Sequence, residues 1–181
     1  MRWWIPVSKI CKFLSWTTEE DGITHQHGLY RLITDREMSE PYLHRYYLLS
    51  TRWLKHWFPK LSYRLVLHKC VRSDADGLHD HPWAWKSKIL DGGYWESIPR
   101  LSEADPDFET SRETARVWRD PKDGWRKGSA LAYHRLELPH EGAESWSLFL
   151  MGPKEKDWGF QDRHGVWVQW EEYIHNRHLY L

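Results

Sequence analysis

Gly77-Leu78-His79-Asp80-His81-Pro82-Trp83, followed far downstream by Ala132-Tyr133-His134, is the part of this chain on which the reading of its fold turns. In an extended strand alternate side chains share a face about 7 Å apart, so His79 and His81 aim two imidazoles at one point. Two residues of one strand cannot surround an ion, so a third ligand must arrive from a distant segment. His134, in the apolar-flanked run 129–138, is the candidate. Pro82 cannot donate a ladder hydrogen bond and ends the strand just past the second histidine.

The string Gly77-x-His79-x-His81-x3-Trp85-x6-Gly92 resembles the first motif of the cupin superfamily, a His-x-His pair followed by a glutamate and a turn glycine. The glutamate is absent, and alignment on Ile89-Leu90-Asp91-Gly92 puts Trp85 in its slot, or Lys86 with a shift of one residue. What remains is a three-histidine set similar to that of the cysteine (thiol) dioxygenase group. In the second motif His134 fits, while Ser129, Leu131 and Leu138 stand where Pro, Gly and Asn are usual. From about residue 42 to the C-terminus the chain also resembles uncharacterised cupin-like proteins of phage and bacterial genomes. The resemblance implies an all-β fold, a single-domain cupin jelly-roll barrel over 23–181 preceded by an appended N-terminal element over 1–22.

Composition agrees with one domain and narrows the partners. The 181 residues are enough for one core and too few for two comfortable ones. Lys and Arg balance Asp and Glu at 26 each, so no net charge draws the chain to nucleic acid or an anionic membrane. Fourteen Trp and 9 Tyr are far above ordinary usage and suit the core of a small β-rich domain. Cys11 and Cys70 lack metal or redox spacing, which argues against a disulfide scaffold and for a reducing cytoplasm. Lys9 and Lys12 interrupt the apolar N-terminus, and no segment reaches the roughly 20 apolar residues of a membrane span. The expected partner is a small molecule; nothing here speaks to oligomeric state.

Along the chain, residues 7–16 read as a short amphipathic helix with Ile10, Phe13 and Leu14 on the face laid over a sheet. Residues 23–33 read as a hairpin or paired strand bent at Gly28 and 51–59 as a helical turn stopped by Pro59; in 42–49 Leu43, Tyr46 and Tyr47 fit a helical face while the aromatic density favours a strand, and the resemblance implies the strand. Residues 63–71 form the clearest strand, with Tyr63, Leu65 and Leu67 on one face and Arg64, Val66 and His68 on the other. Residues 99–122 are charged and poor in aliphatics, and read as a long exposed excursion. Four further runs (130–138, 146–151, 157–160 and 166–170) have strand composition.

Three imidazoles leave coordination positions open, as a catalytic metal needs. The cofactor expected is one divalent transition metal, Fe(II) first; Zn, Ni, Mn and Cu also suit neutral imidazoles. The leading function is a mononuclear metal-dependent cupin oxygenase of a small polar molecule. A non-redox isomerase or hydrolase is the alternative within enzymes, and a ligand-binding or interaction module the alternative outside them. Candidate catalytic residues are His68, on the strand before the motif, as a ligand-orienting group or proton carrier, and Arg64, as a bidentate carboxylate clamp. Glu96 and Lys86 are further possible pocket charges. Trp83 and Trp85 flank the turn after the ligands, Tyr133 should point away from His134, and residues 157–160 read as strand-end packing. His25-Gln-His27 is a second His-x-His without the barrel context, and reads as solvated strand or loop.

Overall fold

The computed structural model describes residues 2–20, 23–34, 40–51, 56–99 and 114–180. Thirteen strands are formed by them: β1 Ser15–Glu20, β2 Ile23–Gly28, β3 Tyr30–Thr34, β4 Pro41–Ser50, β5 Arg64–Cys70, β6 Trp85–Asp91, β7 Tyr94–Pro99, β8 Thr114–Arg119, β9 Arg126–Gly128, β10 Arg135–Glu137, β11 Ser145–Met151, β12 Gly159–Gln161 and β13 Trp167–Gln169. Helix α1, Trp4–Phe13, precedes them, and α2 Trp170–His175 and α3 Arg177–Tyr180 follow. The C-terminal helices were not expected from the strand-like composition of 166–170. Gln169 starts α2 by accepting from the backbone N–H of Glu171 and Glu172, a cap that stops β13 one residue before Trp170.

Six strands form one antiparallel sheet in the order β3-β4-β5-β11-β6-β9. A second layer is continuous through single bridges: β8-β7-β10 is joined by His79, which bridges His134 on one side and Phe160 on the other, to the β12-β13 pair. The histidine pair therefore lies on an extended segment with one ladder rung on each side, rather than on a long strand. The chain passes between layers at Gly92, whose φ of +70° and approach to the Glu144 carbonyl, 2.2 Å from where a Cβ would sit, leave room only for glycine. Residues of both sheets line one cavity of about 480 Å³.

The first sheet is covered on both faces where β5 crosses it. Val66, His68 and Cys70 turn toward the interior, while Leu67 packs with Tyr46, Trp4 and Cys11 beneath α1. Burying a side chain such as Leu67 stabilises by ~1.5–3 kcal/mol. The helix uses a different face from the one predicted: Trp4, Ser8 and Cys11 are buried, and Ile10, Phe13 and Leu14 are exposed. Starting the helix at residue 7 hid the Trp4-Ser8-Cys11 stripe, whose spacing is one helical face. The helix ends at Phe13, and Ser15 and Trp16 belong to β1, which pairs with β2 across residues 21–22.

Two more expectations change. Residues 23–33 are two strands with separate partners, since β2 pairs with β1 and β3 with β4. Of the supposed excursion, residues 100–113 lie outside the described residues, but Thr114–Arg119 is a full partner of β7 from Pro99↔Thr114 to Tyr94↔Arg119. Asp120 then caps a 3-10 turn over Pro121–Asp123. β8 ends the order β10-β7-β8 among the described residues, with Thr114, Arg116 and Trp118 on its exposed side. Residues 52–55 of the turn predicted over 51–59 also lie outside the described residues.

Candidate metal centre

His79, His81 and His134 each offer a ring nitrogen, and these atoms all lie within 4.8 Å of one another. Reciprocal backbone bonds of 2.9 Å between His79 and His134 set their rings side by side. Asp80, between the two histidines, points the other way and is fully buried. It accepts from Gly159 N at 2.8 Å and Trp167 Nε1 at 3.1 Å and is ion-paired to Lys156, which anchors the histidine segment to the β12-β13 pair.

Two of the three imidazoles have a carboxylate behind them. Glu96 Oε1 lies 3.0 Å from His134 Nδ1, and its Oε2 receives Arg119 Nε at 2.8 Å and Arg126 at 2.6 Å. Burial alone would raise the Glu96 pKa; the His134 hydrogen bond and the two guanidinium groups outweigh it and bring it down to about 2. Glu96 is therefore an acceptor at neutral pH, so His134 Nδ1 is the donor and Nε2 is the ring nitrogen left for the cavity. Asp74 Oδ2 stands 3.9 Å from His79 Nδ1.

His81 Nε2 lies 2.8 Å from His134 Nε2. Two nitrogens bound at ~2.1 Å and right angles to one ion would be about 3 Å apart, so this pair is close to a cis ligand geometry. Burial, then the neighbouring imidazoles, pushes the His81 pKa well below its ordinary value, and burial lowers that of His79 against the pull of Asp74. Both rings are neutral at pH 7, the state that ligates a metal.

The question of the missing glutamate is settled by direction. Trp85 faces the cavity and stacks on His134 and Phe149, with ring centroids 5.7 and 5.6 Å away, while Lys86 is exposed. Gly128 lies flat against the indole, its would-be Cβ only 2.4 Å from the ring. An aromatic ring thus stands where a fourth protein ligand would, and the carboxylate of this region is Glu96, one layer behind. A carboxylate on β7 three residues after the turn glycines was among the pocket candidates; its partner Arg119 fell in the segment read as a loop.

His68 is buried, lines the cavity and stacks on Phe149 at 5.0 Å. Burial and the Arg45 charge hold its pKa well below the usual range. Arg64 is not among the lining residues; it starts β5, and its guanidinium lies 5.4 Å from the centre of the Trp83 ring. Two other cations line the cavity, Arg177, which is ion-paired to Asp76 at 3.1 Å, and Arg45, which sequence reasoning passed over inside the aromatic run of β4. Cys70 also lines it, but burial raises its thiol pKa to about 12 and Sγ donates to the Arg72 carbonyl, so it is not a thiolate at neutral pH. Trp158 and Phe160 flank His79, giving residues 157–160 a place in the cavity wall. Tyr133 is not among the lining residues; burial raises its pKa to about 12. His27 pairs with Thr18 at 2.8 Å on the β1-β2 hairpin, apart from this site.

Two facing antiparallel sheets thus enclose three inward imidazoles, two from one segment and one from its bridge partner. The barrel is cupin-like. Solved structures similar to it include Fe(II)-HppE with the alternative substrate (S)-1-HPP, at 10% identity over 75% of this chain and 63% of that one, TM-score 0.46. Others are a cupin-2 domain protein of Rhodospirillum rubrum, at 15% identity, 75% and 78% coverage and TM-score 0.47, and a cupin superfamily protein of Desulfitobacterium hafniense, at 11% identity, 66% and 83% coverage and TM-score 0.40. This chain spans less than two thirds of the length of Fe(II)-HppE. No family model and no curated protein matches the sequence. No helix among the described residues of the cupin-like chain is long and apolar enough to cross a membrane.

Proposed function

We propose that this chain is a mononuclear metal-dependent enzyme, an Fe(II) oxygenase of a small polar molecule in the first instance. The observation that supports it most is the pairing of imidazoles with buried carboxylates, Glu96 behind His134 and Asp74 behind His79. The Glu96 hydrogen bond fixes which ring nitrogen of His134 is free and makes it a better donor to a metal, while Asp74, at 3.9 Å, acts on His79 through its charge alone. His79, His81 and His134 would hold the ion. A divalent transition metal supplies Lewis acidity at such a site, and iron adds the one-electron chemistry that dioxygen requires.

The chain's own part is binding, orientation and dryness. With Trp85 in place of a fourth ligand, an ion held by the three histidines would keep positions free for a substrate, and Phe149, Met151 and Trp158 supply apolar parts of the cavity wall. His68, neutral at pH 7, is suited to accept a proton rather than to deliver one. The free, buried Cys11 and Cys70 fit a reducing compartment such as the cytoplasm. A balanced charge favours a small-molecule partner over nucleic acid.

The deciding experiment is oxygen uptake by iron-loaded protein offered a panel of small thiols, hydroxy acids and amino acids. Uptake that needs both a substrate and the three histidines supports the oxygenase. Turnover of a panel member under anaerobic conditions replaces it with the non-redox reading. Metal-free protein that binds ligand as well as the loaded form does would favour the binding module.

A further inference from the structure

The inner face of the six-stranded sheet has a polar row opposite the three histidines. Arg45 on β4 is the register partner of His68 on β5, and His68 that of Ser147 on β11. Register partners share a face with Cβ atoms about 5 Å apart, so these three side chains stand abreast, and all line the cavity. The next row of that face brings in Ser145, paired with Cys70.

These groups lack partners. Arg45 Nε, His68 Nε2 and Ser145 Oγ are buried and make no hydrogen bond. Among the described residues no carboxylate forms an ion pair with Arg45. Asp74, a carboxylate that also lines the cavity, has its oxygens engaged by the Tyr42 hydroxyl and the Leu136 N–H. A guanidinium inside a cavity without an anion is costly, as is an unsatisfied buried donor. Arg31, exposed on the neighbouring edge strand, is the register partner of Arg45 and adds a second positive charge to that end of the row. Across the cavity, an ion held by three neutral imidazoles would keep its full double charge.

We propose that Arg45, His68, Ser145 and Ser147 form an anion subsite, and that the ligand of this cavity is a small carboxylic acid held by its carboxylate on Arg45. The carboxylate accepts from the guanidinium and the serine hydroxyls, and the rest of the molecule extends past Phe149, which neighbours both His68 and His81, toward the histidines. This names the substrate class of the function proposed above and rests on that reading for the cavity's role, but the anion subsite itself needs no metal.

The test uses benzoate and its neutral isostere benzamide, two probes matched to an aromatic-lined cavity, with binding followed by ligand-detected NMR on metal-free protein. Benzoate is expected to bind the wild type about tenfold or more tightly than benzamide, a preference lost in Arg45→Met. Equal binding of the two probes by the wild type, no binding of either, or an unchanged preference in Arg45→Met overturns the proposal. The wild-type comparison stands even if the variant fails to fold. Metal uptake measured on the same samples separates the two ideas: benzoate selectivity without metal uptake sustains the subsite and removes the metal reading, and the reverse result does the opposite.

Discussion

Glu96 Oε1 accepts from His134 Nδ1 at 3.0 Å while two arginines neutralise its other oxygen, so one fully buried carboxylate sets the tautomer of a histidine that faces the cavity. The glutamate that the first motif lacks is thus not replaced in kind. Its charge is present one layer out, acting through the imidazole.

Purified protein should hold about one divalent transition metal per chain, as an open three-ligand site would. His79→Ala, His81→Ala and His134→Ala should each lose it while keeping the far-ultraviolet dichroism of a β protein. Elemental analysis decides, and full retention in the His79→Ala, His81→Ala double variant would remove the site.

Glu96→Gln should weaken metal affinity by roughly 10–100-fold, because the ring of His134 loses its charged partner. Competition with a chelator of known affinity measures this. The same affinity in variant and wild type would make Glu96 a purely structural residue.

Glu96 also predicts an acid limit. Its pKa is depressed to about 2 from 4.5, so its contribution, on the order of 3 kcal/mol, is complete above pH ~4.5 and is lost as the pH falls toward ~2. Urea unfolding of wild type and Glu96→Gln between pH 5 and ~2.5 should converge as the pH falls. Parallel curves would assign the acid sensitivity elsewhere.

The lowered pKa values of His79 and His81 act in the same direction at higher pH. The fold prefers these rings neutral, so metal-free protein should lose stability as the pH drops below the ordinary histidine value of ~6.5, where the unfolded chain takes up protons first. Metal occupancy should decline over the same range. Thermal unfolding at pH 7.5 and 5.5 tests this, and greater stability at pH 5.5 would contradict it.

Asp80→Ala should cost about 3 kcal/mol or more, since it strands Lys156, the Trp167 N–H and the Gly159 N–H around a buried vacancy. A denaturant series measures the loss. A cost within ~0.5 kcal/mol, usual for surface positions, would mean that the histidine segment is held by its two bridges alone.

The three histidines were legible because ligand chemistry demands a residue type and a spacing, and both survive in the string from Gly77 to Trp83. The strand over 63–71 was legible from its alternating faces, whereas 42–49, which also fits a helical face, was legible as a strand only through the family resemblance. Arg45 was not: inside Tyr42-Leu43-His44-Arg45-Tyr46-Tyr47 it reads as the polar interruption of an apolar strand, and only pairing with His68 shows that this face is the cavity side. Arg64 was chosen instead because it precedes the motif and shares the correct face, but it lies at the strand's end, against Trp83. The partnership of β8 with β7 was hidden for a similar reason. Thr114–Arg119 has strand composition itself, but it sits inside 99–122, whose charge and prolines dominate the reading of the whole segment.

His79 is bridged on one side by His134, and the third imidazole stands 53 residues beyond the second. A growing chain that has not yet reached residue 134 therefore offers only two of the three nitrogens, and the third arrives when the second sheet closes. Ion capture would then be a late event in the life of each molecule, and the fraction of chains loaded would count those that have finished folding.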